Sequence, residues 1–174
     1  MIRQLALLRG VNLGNRQVKS TELAQTFTAL GYANVKTLLA SGNVLFDAPA
    51  PVSEASIETA LAKTFGFDIG VVLRTQQQLR ALIAADPFSG RIEDADTKLY
   101  VMFLREPLSH TLPLPCAVAG DFEVVHVTPT EVCMLAFRQP TGRFGTGMDQ
   151  VAKHFSRHTL WTSRNFNTVL KAAA

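Results

Sequence analysis

The side chains best suited to binding chemistry lie in three short stretches rich in arginine, asparagine and glycine. The candidate ligand-binding residues are Arg9, Asn12, Asn15, Ser41, Asn43, Arg164, Asn165 and Asn167. An arginine guanidinium can bind a carboxylate or a phosphate through two parallel hydrogen bonds, and asparagine supplies both donors and acceptors. These residue types predict a site for an anionic ligand. The alternative is that the asparagines and glycines only form turns and helix caps, with Arg9 paired to an acidic neighbour.

Charge is distributed unevenly along the chain, although the net value is only +3. Residues 1–50 contain five basic and two acidic side chains, and residues 138–174 contain six basic and one acidic. The segment between them contains six basic and eleven acidic side chains. If folding brings the two ends together, the basic face would attract an anionic small molecule or a nucleic acid. An ordinary mixed surface is the alternative.

Two further stretches resemble functional motifs but lack part of the pattern. The segment 142–147, GRFGTG, precedes a predicted helix over 147–156 and could offer backbone N–H groups to an anion. No GK[ST] follows it, and a connector whose Thr146 forms a capping box with Asp149 explains it better. His154 and His158 would share a face of that helix, but no HExxH motif or nearby carboxylate completes a metal set. We therefore predict no metal site.

The sequence contains no recognisable catalytic motif and identifies no cofactor. There is no GxSxG, and neither Cys116 nor Cys133 stands in a nucleophile motif. Two distant cysteines without a CxxC pair favour free thiols in a reducing compartment. The apolar run that Arg9 ends is too short for a signal peptide, and no stretch approaches the roughly 20 apolar residues of a membrane helix. We therefore expect a cytoplasmic protein with no membrane partner.

The elements that position these residues begin with a first half of alternating strand and helix patterns. Strands are predicted over residues 2–9, 35–40, 44–46 and 69–73, and helices are predicted to start at Ser20 and Ser53. The order strand, helix, strand, strand, helix, strand is that of the split βαβ plait. The first and third strands are neighbours in this plait. We expect the end of one and the start of the other to lie at different edges of the sheet.

The second half repeats this order less regularly. Strands are predicted over residues 99–104, 122–127, 132–137 and 159–161, with a last helix over 167–173. Thr75 and Gln78 have the spacing of a capping box and start a connecting helix. Pro113 and Pro115 disfavour a helix in the segment 107–119. We predict an α+β protein of two tandem ferredoxin-like (βαββαβ) plaits, over residues 1–75 and 76–174, of which the second is degenerate.

Three stretches of the chain resemble the signature stretches of the DUF1697 family. They are ALLRGVNLGN (residues 6–15), ASGNVLF (40–46) and TSRNFNTV (162–169). The spacing between them is also similar, so the resemblance covers nearly the whole chain. It implies a duplicated α/β plait in a bacterial, cytoplasmic protein, and it implies no activity because none is established for the family. The chain departs from the family in the proline-rich segment 107–119.

The function we favour from the sequence is a binding protein for a phosphorylated or otherwise anionic ligand, with nucleic acid as one candidate. RNA-recognition motifs stack bases on strand aromatics, and the first and third strands offer Phe46 alone, which argues against that mode of binding. Two alternatives stay open. One is an enzyme with a site between the two halves, and the other is an oligomeric interaction module that uses sheet faces and edges. The sequence leaves the oligomeric state open.

Overall fold

The computed structural model describes residues 1–39 and 42–174 and divides the chain into two compact units. Unit 1 contains residues 1–81 and 170–174, and unit 2 contains residues 82–169. The protein is a mixed α/β protein with two antiparallel sheets, one in each unit. A domain boundary between residues 75 and 76 stays a prediction, because a compact unit is not in itself an independently folding domain.

The sheet of unit 1 is covered on one face by two helices. Its elements are β1 (Ile2–Arg9), α1 (Ser20–Ala29), β2 (Ala33–Thr37), β3 (Asn43–Ala48), α2 (Glu54–Phe65), β4 (Gly70–Thr75) and α3 (Gln76–Ala84), which continues beyond the unit. The strands lie in the order β2-β3-β1-β4, and every neighbouring pair is antiparallel. Phe27 of α1 and Leu61 of α2 pack with Phe46 of β3 in the core, where all three are fully buried.

Two helices of unit 1 begin at the side-chain caps that the sequence predicts. Ser53 Oγ accepts the Ser56 N–H at 3.2 Å at the start of α2. At the start of α3, the Thr75 N–H donates to Gln78 Oε1 at 2.8 Å, and the Gln78 N–H donates to Thr75 Oγ1 at 3.0 Å. This reciprocal pair is a capping box, which satisfies two N–H groups that a helix start otherwise leaves without partners.

Residues 170–174 belong to unit 1 although the whole of unit 2 lies between them and residue 81 in the sequence. Gln76 Nε2 donates to the carbonyl oxygen of Ala174 at 3.0 Å, and Arg80 Nε donates to that of Ala173 at 2.9 Å. Both donors belong to α3. Carbonyl groups at the end of a helix have no partner within the helix, so these side chains supply one.

Unit 2 is built on a five-stranded sheet. Its elements are β5 (Thr97–Leu104), β6 (Ala117–Val118), β7 (Phe122–Val127), β8 (Glu131–Phe137), a 3-10 helix (Met148–His154), β9 (Trp161–Asn165) and the first part of α4 (Phe166–Ala173). The strand order is β6-β7-β8-β5-β9. Met102, Phe122, Met134 and Val151 form the core on one face of this sheet. No helix within residues 1–39 and 42–174 is long and apolar enough to cross a membrane.

Three elements of unit 2 test the sequence predictions most directly. Residues 105–116 contain no helix, as the prolines predict. The helix predicted over 147–156 is shorter and of the 3-10 type. The prediction of the last strand over 159–161 is wrong, because β9 runs from Trp161 to Asn165. The sequence WTSRN is mostly polar, so a search for apolar patterns does not detect this strand. Its antiparallel pairing with β5 defines it instead.

Candidate functional site

The loop between β1 and α1 is closed on itself by hydrogen bonds around Asn12. The Asn12 N–H donates to the Arg16 carbonyl at 2.6 Å, and the Arg16 N–H donates to the Leu13 carbonyl at 2.9 Å. The side-chain oxygen of Asn12 accepts the Val18 N–H at 3.0 Å. Asn12 has φ 57°, a left-handed conformation that asparagine tolerates better than most residues. Asn12 therefore builds the loop, and Asn15 is exposed within it.

The start of β3 lies beside the end of β1, at the same edge of the sheet. Leu7 pairs with Asn43 in the antiparallel register, and the Leu8 N–H donates to the Gly42 carbonyl at 2.9 Å. The expectation that these two chain ends lie at different edges is wrong. Antiparallel neighbours run in opposite directions, so the end of one strand lies beside the start of the other. The first two signature stretches therefore meet in space.

The two stretches approach each other closely at Gly42. A Cβ at this position would lie 2.8 Å from Val11 Cγ2 and 3.0 Å from Leu8 Cβ. Asn43 is 1% exposed, and its side-chain amide donates to the Leu38 carbonyl at 3.1 Å. The buried Asn43 side chain therefore links the start of β3 to the residue that follows β2. Ser41, the remaining candidate of this stretch, lies outside the described residues.

Basic side chains predominate at this edge of unit 1. Arg9 ends β1 and Lys19 immediately precedes α1. The guanidinium carbon of Arg16 lies 5.6 Å from the centre of the Phe67 ring, a distance at which the ring attracts the cation. Residues 9–19 and 66–70 contain three basic side chains and one acidic side chain, that of Asp68. The edge therefore favours an anion.

In unit 2, two of the candidate asparagines bind one carboxylate. Asn165 Nδ2 donates to Glu93 Oε1 at 2.5 Å, and Asn167 Nδ2 donates to Glu93 Oε2 at 3.3 Å. Asn165 Oδ1 also accepts the Asn167 N–H at 2.9 Å, at the start of α4. These bonds join the start of α4 to the segment before β5. They agree with the alternative that the asparagines act as a helix cap.

Arg164 is bound to its own strand. Its Nη1 donates to Thr162 Oγ1 at 2.6 Å and to the Ser163 carbonyl at 2.8 Å, and burial lowers the pKa of its guanidinium to about 10. Arg74 occupies the same next-to-last place in β4 and likewise donates, at 2.8 Å, to the preceding carbonyl, that of Leu73. Sequence reasoning missed Arg74, which is 7% exposed. A basic residue in an otherwise apolar strand was the available signal.

The glycine-rich segment before the 3-10 helix is anchored by Asp121. Asp121 Oδ2 accepts the Gly147 N–H at 2.8 Å, and its Oδ1 accepts the Thr146 hydroxyl at 3.4 Å. The predicted capping box of Thr146 with Asp149 is therefore wrong, and the 3-10 helix has no side-chain cap. The Gly147 N–H, a donor that a bound phosphate would use, therefore already bonds to a carboxylate of the protein.

The two histidines do not share a helix face, so that prediction is wrong. The 3-10 helix ends at His154, and His158 lies four residues beyond it. Among residues 1–39 and 42–174, no group of three or more histidine, cysteine, aspartate or glutamate side chains could hold a metal ion. Cys116 and Cys133 are free thiols, and burial, followed by the charge of Glu131, raises the pKa of Cys133 to about 12.

Two antiparallel sheets with helices, and a basic edge on the first, define a two-unit α/β protein. The chain belongs to the DUF1697 family of proteins of unknown function, whose family model matches residues 1–132. It is also similar to a solved structure, that of the conserved bacterial protein SP0830 from Streptococcus pneumoniae. The two are 23% identical with a TM-score of 0.65, over 99% of this chain and 97% of that chain, which shows a shared fold. No curated protein matches the chain.

Proposed function

We propose that this DUF1697 protein binds a phosphate-bearing ligand at the basic edge of unit 1. The observation that carries the proposal is the pairing of Leu7 with Asn43, which brings the loop after β1 and the start of β3 together beside Arg9 and Arg16. Guanidinium groups match the geometry of phosphate oxygens and stay charged at neutral pH. The hydrogen bonds of Asn12 hold the loop in one shape before binding, which lowers the entropic cost of ordering it.

Phosphate groups occur both in small metabolites and in nucleic acids, so the test includes both. Base stacking on the sheet is not part of the proposal. Phe46, the aromatic residue of β3, is fully buried, and its ring stacks on that of Tyr32 with a centroid distance of 4.7 Å. A nucleic acid bound at this edge would therefore be recognised mainly through its phosphates. Such binding weakens steeply as salt rises, because binding releases counterions.

A thermal-shift screen of the full chain tests the proposal with pyrophosphate, nucleotides, sugar phosphates and oligonucleotides. At about 100 times Kd, a ligand should stabilise the fold by about 2.7 kcal/mol, or roughly 5–10 °C in Tm. Arg9→Gln and Arg16→Gln should reduce this shift. Lys171→Gln, which removes an exposed positive charge from α4 on the side of Gln76, at the other end of the sheet, should leave it unchanged. A flat response to every compound, or equal losses in all three variants, would refute the proposal.

The salt dependence then separates the two sources of phosphate. For an oligonucleotide, the slope of log K against log salt should be shallower by about 0.7 for each phosphate that a variant no longer neutralises. If the ligand is a small phosphorylated compound, that compound should raise Tm and an oligonucleotide should leave Tm unchanged. Shifts by both kinds of ligand, abolished by the same arginine variants, would identify phosphate alone as the recognised group.

We also infer that the two units are tandem ferredoxin-like plaits, the second degenerate. The order β2-β3-β1-β4 of unit 1 has its counterpart in β7-β8-β5-β9 of unit 2, with β6 as an added edge strand. The irregular segment 105–116 and the 3-10 helix take the places of the two plait helices. The equivalent places of Arg74 and Arg164 support the same duplication. A cytoplasmic location is supported by the two free thiols.

A further inference from the structure

A cleft of about 300 Å³ opens in unit 2 between the segment before β6, strand β7 and the 3-10 helix. Its inner part is apolar, since Phe122 and Val151 are only 2% and 1% exposed. The polar groups of its lining are Cys116, Gln150, Lys153 and His154. The cleft therefore combines an apolar floor with one polar side.

The polar side of this cleft favours negative charge. Lys153 and His154 lie in the last turn of the 3-10 helix, and none of the described lining residues is acidic. Glu123 follows Phe122 in β7, but successive strand side chains point to opposite faces, so its carboxylate points away from the cleft. Asp149, in the first turn of the 3-10 helix, is exposed, and the carboxylate of Asp121, which precedes Phe122, is bound to the Gly147 N–H and the Thr146 hydroxyl.

The Cys116 thiol lines the cleft, so its rate of chemical labelling can report whether the cleft is occupied. Its carbonyl accepts the Val124 N–H at 2.9 Å, which fixes its backbone beside β7. Burial raises the pKa of its half-buried thiol, and the charge of Lys153 opposes this effect more weakly. A raised pKa reduces the fraction of thiolate at neutral pH, so this thiol should react more slowly with electrophiles than an exposed thiol does.

We propose that this cleft binds a small organic anion, with its carboxylate or phosphate beside Lys153 and His154 and its apolar body against Phe122 and Val151. Small-molecule sites have volumes of roughly 300–1,000 Å³, and this cleft lies at the lower limit. Its size suits one ring or a short chain and excludes a dinucleotide. The cleft shares no residue with the basic edge of unit 1, so either proposal can fail while the other stands.

The test measures how fast a small maleimide labels Cys116 in the full chain, followed by mass spectrometry of the peptides. Cys133 is fully buried and serves as the internal control that the fold stays intact. Benzoate and phenyl phosphate are the two anionic probes, and benzyl alcohol is a neutral probe with the same phenyl ring. At ten times Kd an anionic probe should slow labelling about tenfold, since only the free protein reacts.

Two variants with one positive charge removed make the test specific. Lys153→Gln should weaken the affinity for either anion about tenfold, the loss expected for a charge-assisted hydrogen bond, so that the same probe concentration slows labelling only about twofold. Lys63→Gln, at the exposed end of α2, should leave protection unchanged. Each variant is compared as the ratio of rates with and without probe, which cancels any change in thiol reactivity. The stronger protector, benzoate or phenyl phosphate, identifies the preferred anionic group.

Four results would overturn the proposal. The first is a labelling rate of Cys116 that neither anion slows, and the second is equal protection by benzyl alcohol and benzoate. The third is a Lys63→Gln variant that weakens protection as much as Lys153→Gln does. The fourth is a Cys116 that stays unlabelled without any probe even at alkaline pH, where its thiolate forms, which would show that the cleft does not admit small molecules.

Discussion

Gly42→Ala tests whether the two loops at the basic edge of unit 1 lie as close as the structure places them. Gly42 has φ +74°, where a residue with a Cβ costs roughly 1–2 kcal/mol. The new methyl group would also lie 2.8 Å from Val11 Cγ2 and 3.0 Å from Leu8 Cβ. Leu8 is only 2% exposed and cannot yield freely, and overpacking of this kind costs roughly 1–3 kcal/mol. We expect a total loss of about 3 kcal/mol.

Gly66→Ala is the matched control for the backbone contribution. Gly66 ends α2 with φ +80°, close to that of Gly42, and a Cβ there would meet nothing within 4 Å. The control therefore carries the left-handed strain without the clash, and we expect it to cost about 1 kcal/mol. The difference between the two variants isolates the packing of Gly42 against Leu8 and Val11.

The assay is thermal and urea unfolding of both variants and the original chain, with circular dichroism as the signal. In a chain of this size, 1 kcal/mol lowers Tm by roughly 2–4 °C, so Gly42→Ala should lose roughly 6–12 °C and Gly66→Ala roughly 2–4 °C. Equal losses would show that the loops do not pack as described. The phosphate site proposed at this edge would then lose its structural basis.

Two further predictions concern stability. Thr75→Ala should lower the free energy of unfolding, measured in urea, by about 1 kcal/mol, because it removes the capping box with Gln78. Thr59→Ala, on the exposed side of α2, should lower it clearly less. Equal losses would contradict the cap. Asp47→Asn should cost about 0.5 kcal/mol at pH 7, the size typical of an exposed ion pair. The hydrogen bond from Asn34, more than the pairing with Arg3, lowers the pKa of Asp47. This stabilisation is therefore present above the unfolded pKa of about 3.9 and is lost as pH falls through the lower folded value, so unfolding at pH 7, 4 and 3 should show the cost disappearing; a cost independent of pH would refute this.

Local signals in the sequence predict much of the fold. The apolar run that ends in Arg9 gives the bounds of β1 as Ile2–Arg9, and the strand Phe122–Val127 is equally well predicted. Ser53 and Thr75 mark helix starts because their side chains bond to backbone groups three residues away. Such signals depend on neighbours in the chain, so a single sequence contains them.

The features that the sequence did not predict depend on partners far along the chain. Asp121 accepts a hydrogen bond from Gly147, the residue before the 3-10 helix, across 26 residues, where the sequence predicts a capping box. Glu93 binds Asn165 across 72 residues. The loop after β1 meets the start of β3 because the two strands are antiparallel. The sequence-based expectation placed these two chain ends at different edges of the sheet. Spacing along the chain does not encode such pairings.

The place of residues 170–174 in unit 1 has a consequence for how the protein is made. A ribosome delivers these residues after the whole of unit 2, so Gln76 and Arg80 gain the carbonyl groups of Ala173 and Ala174 as partners only after unit 2 has been synthesised. Unit 2 is continuous in the chain and has all its residues earlier. Unit 1, which precedes unit 2 in the sequence, is therefore completed after it.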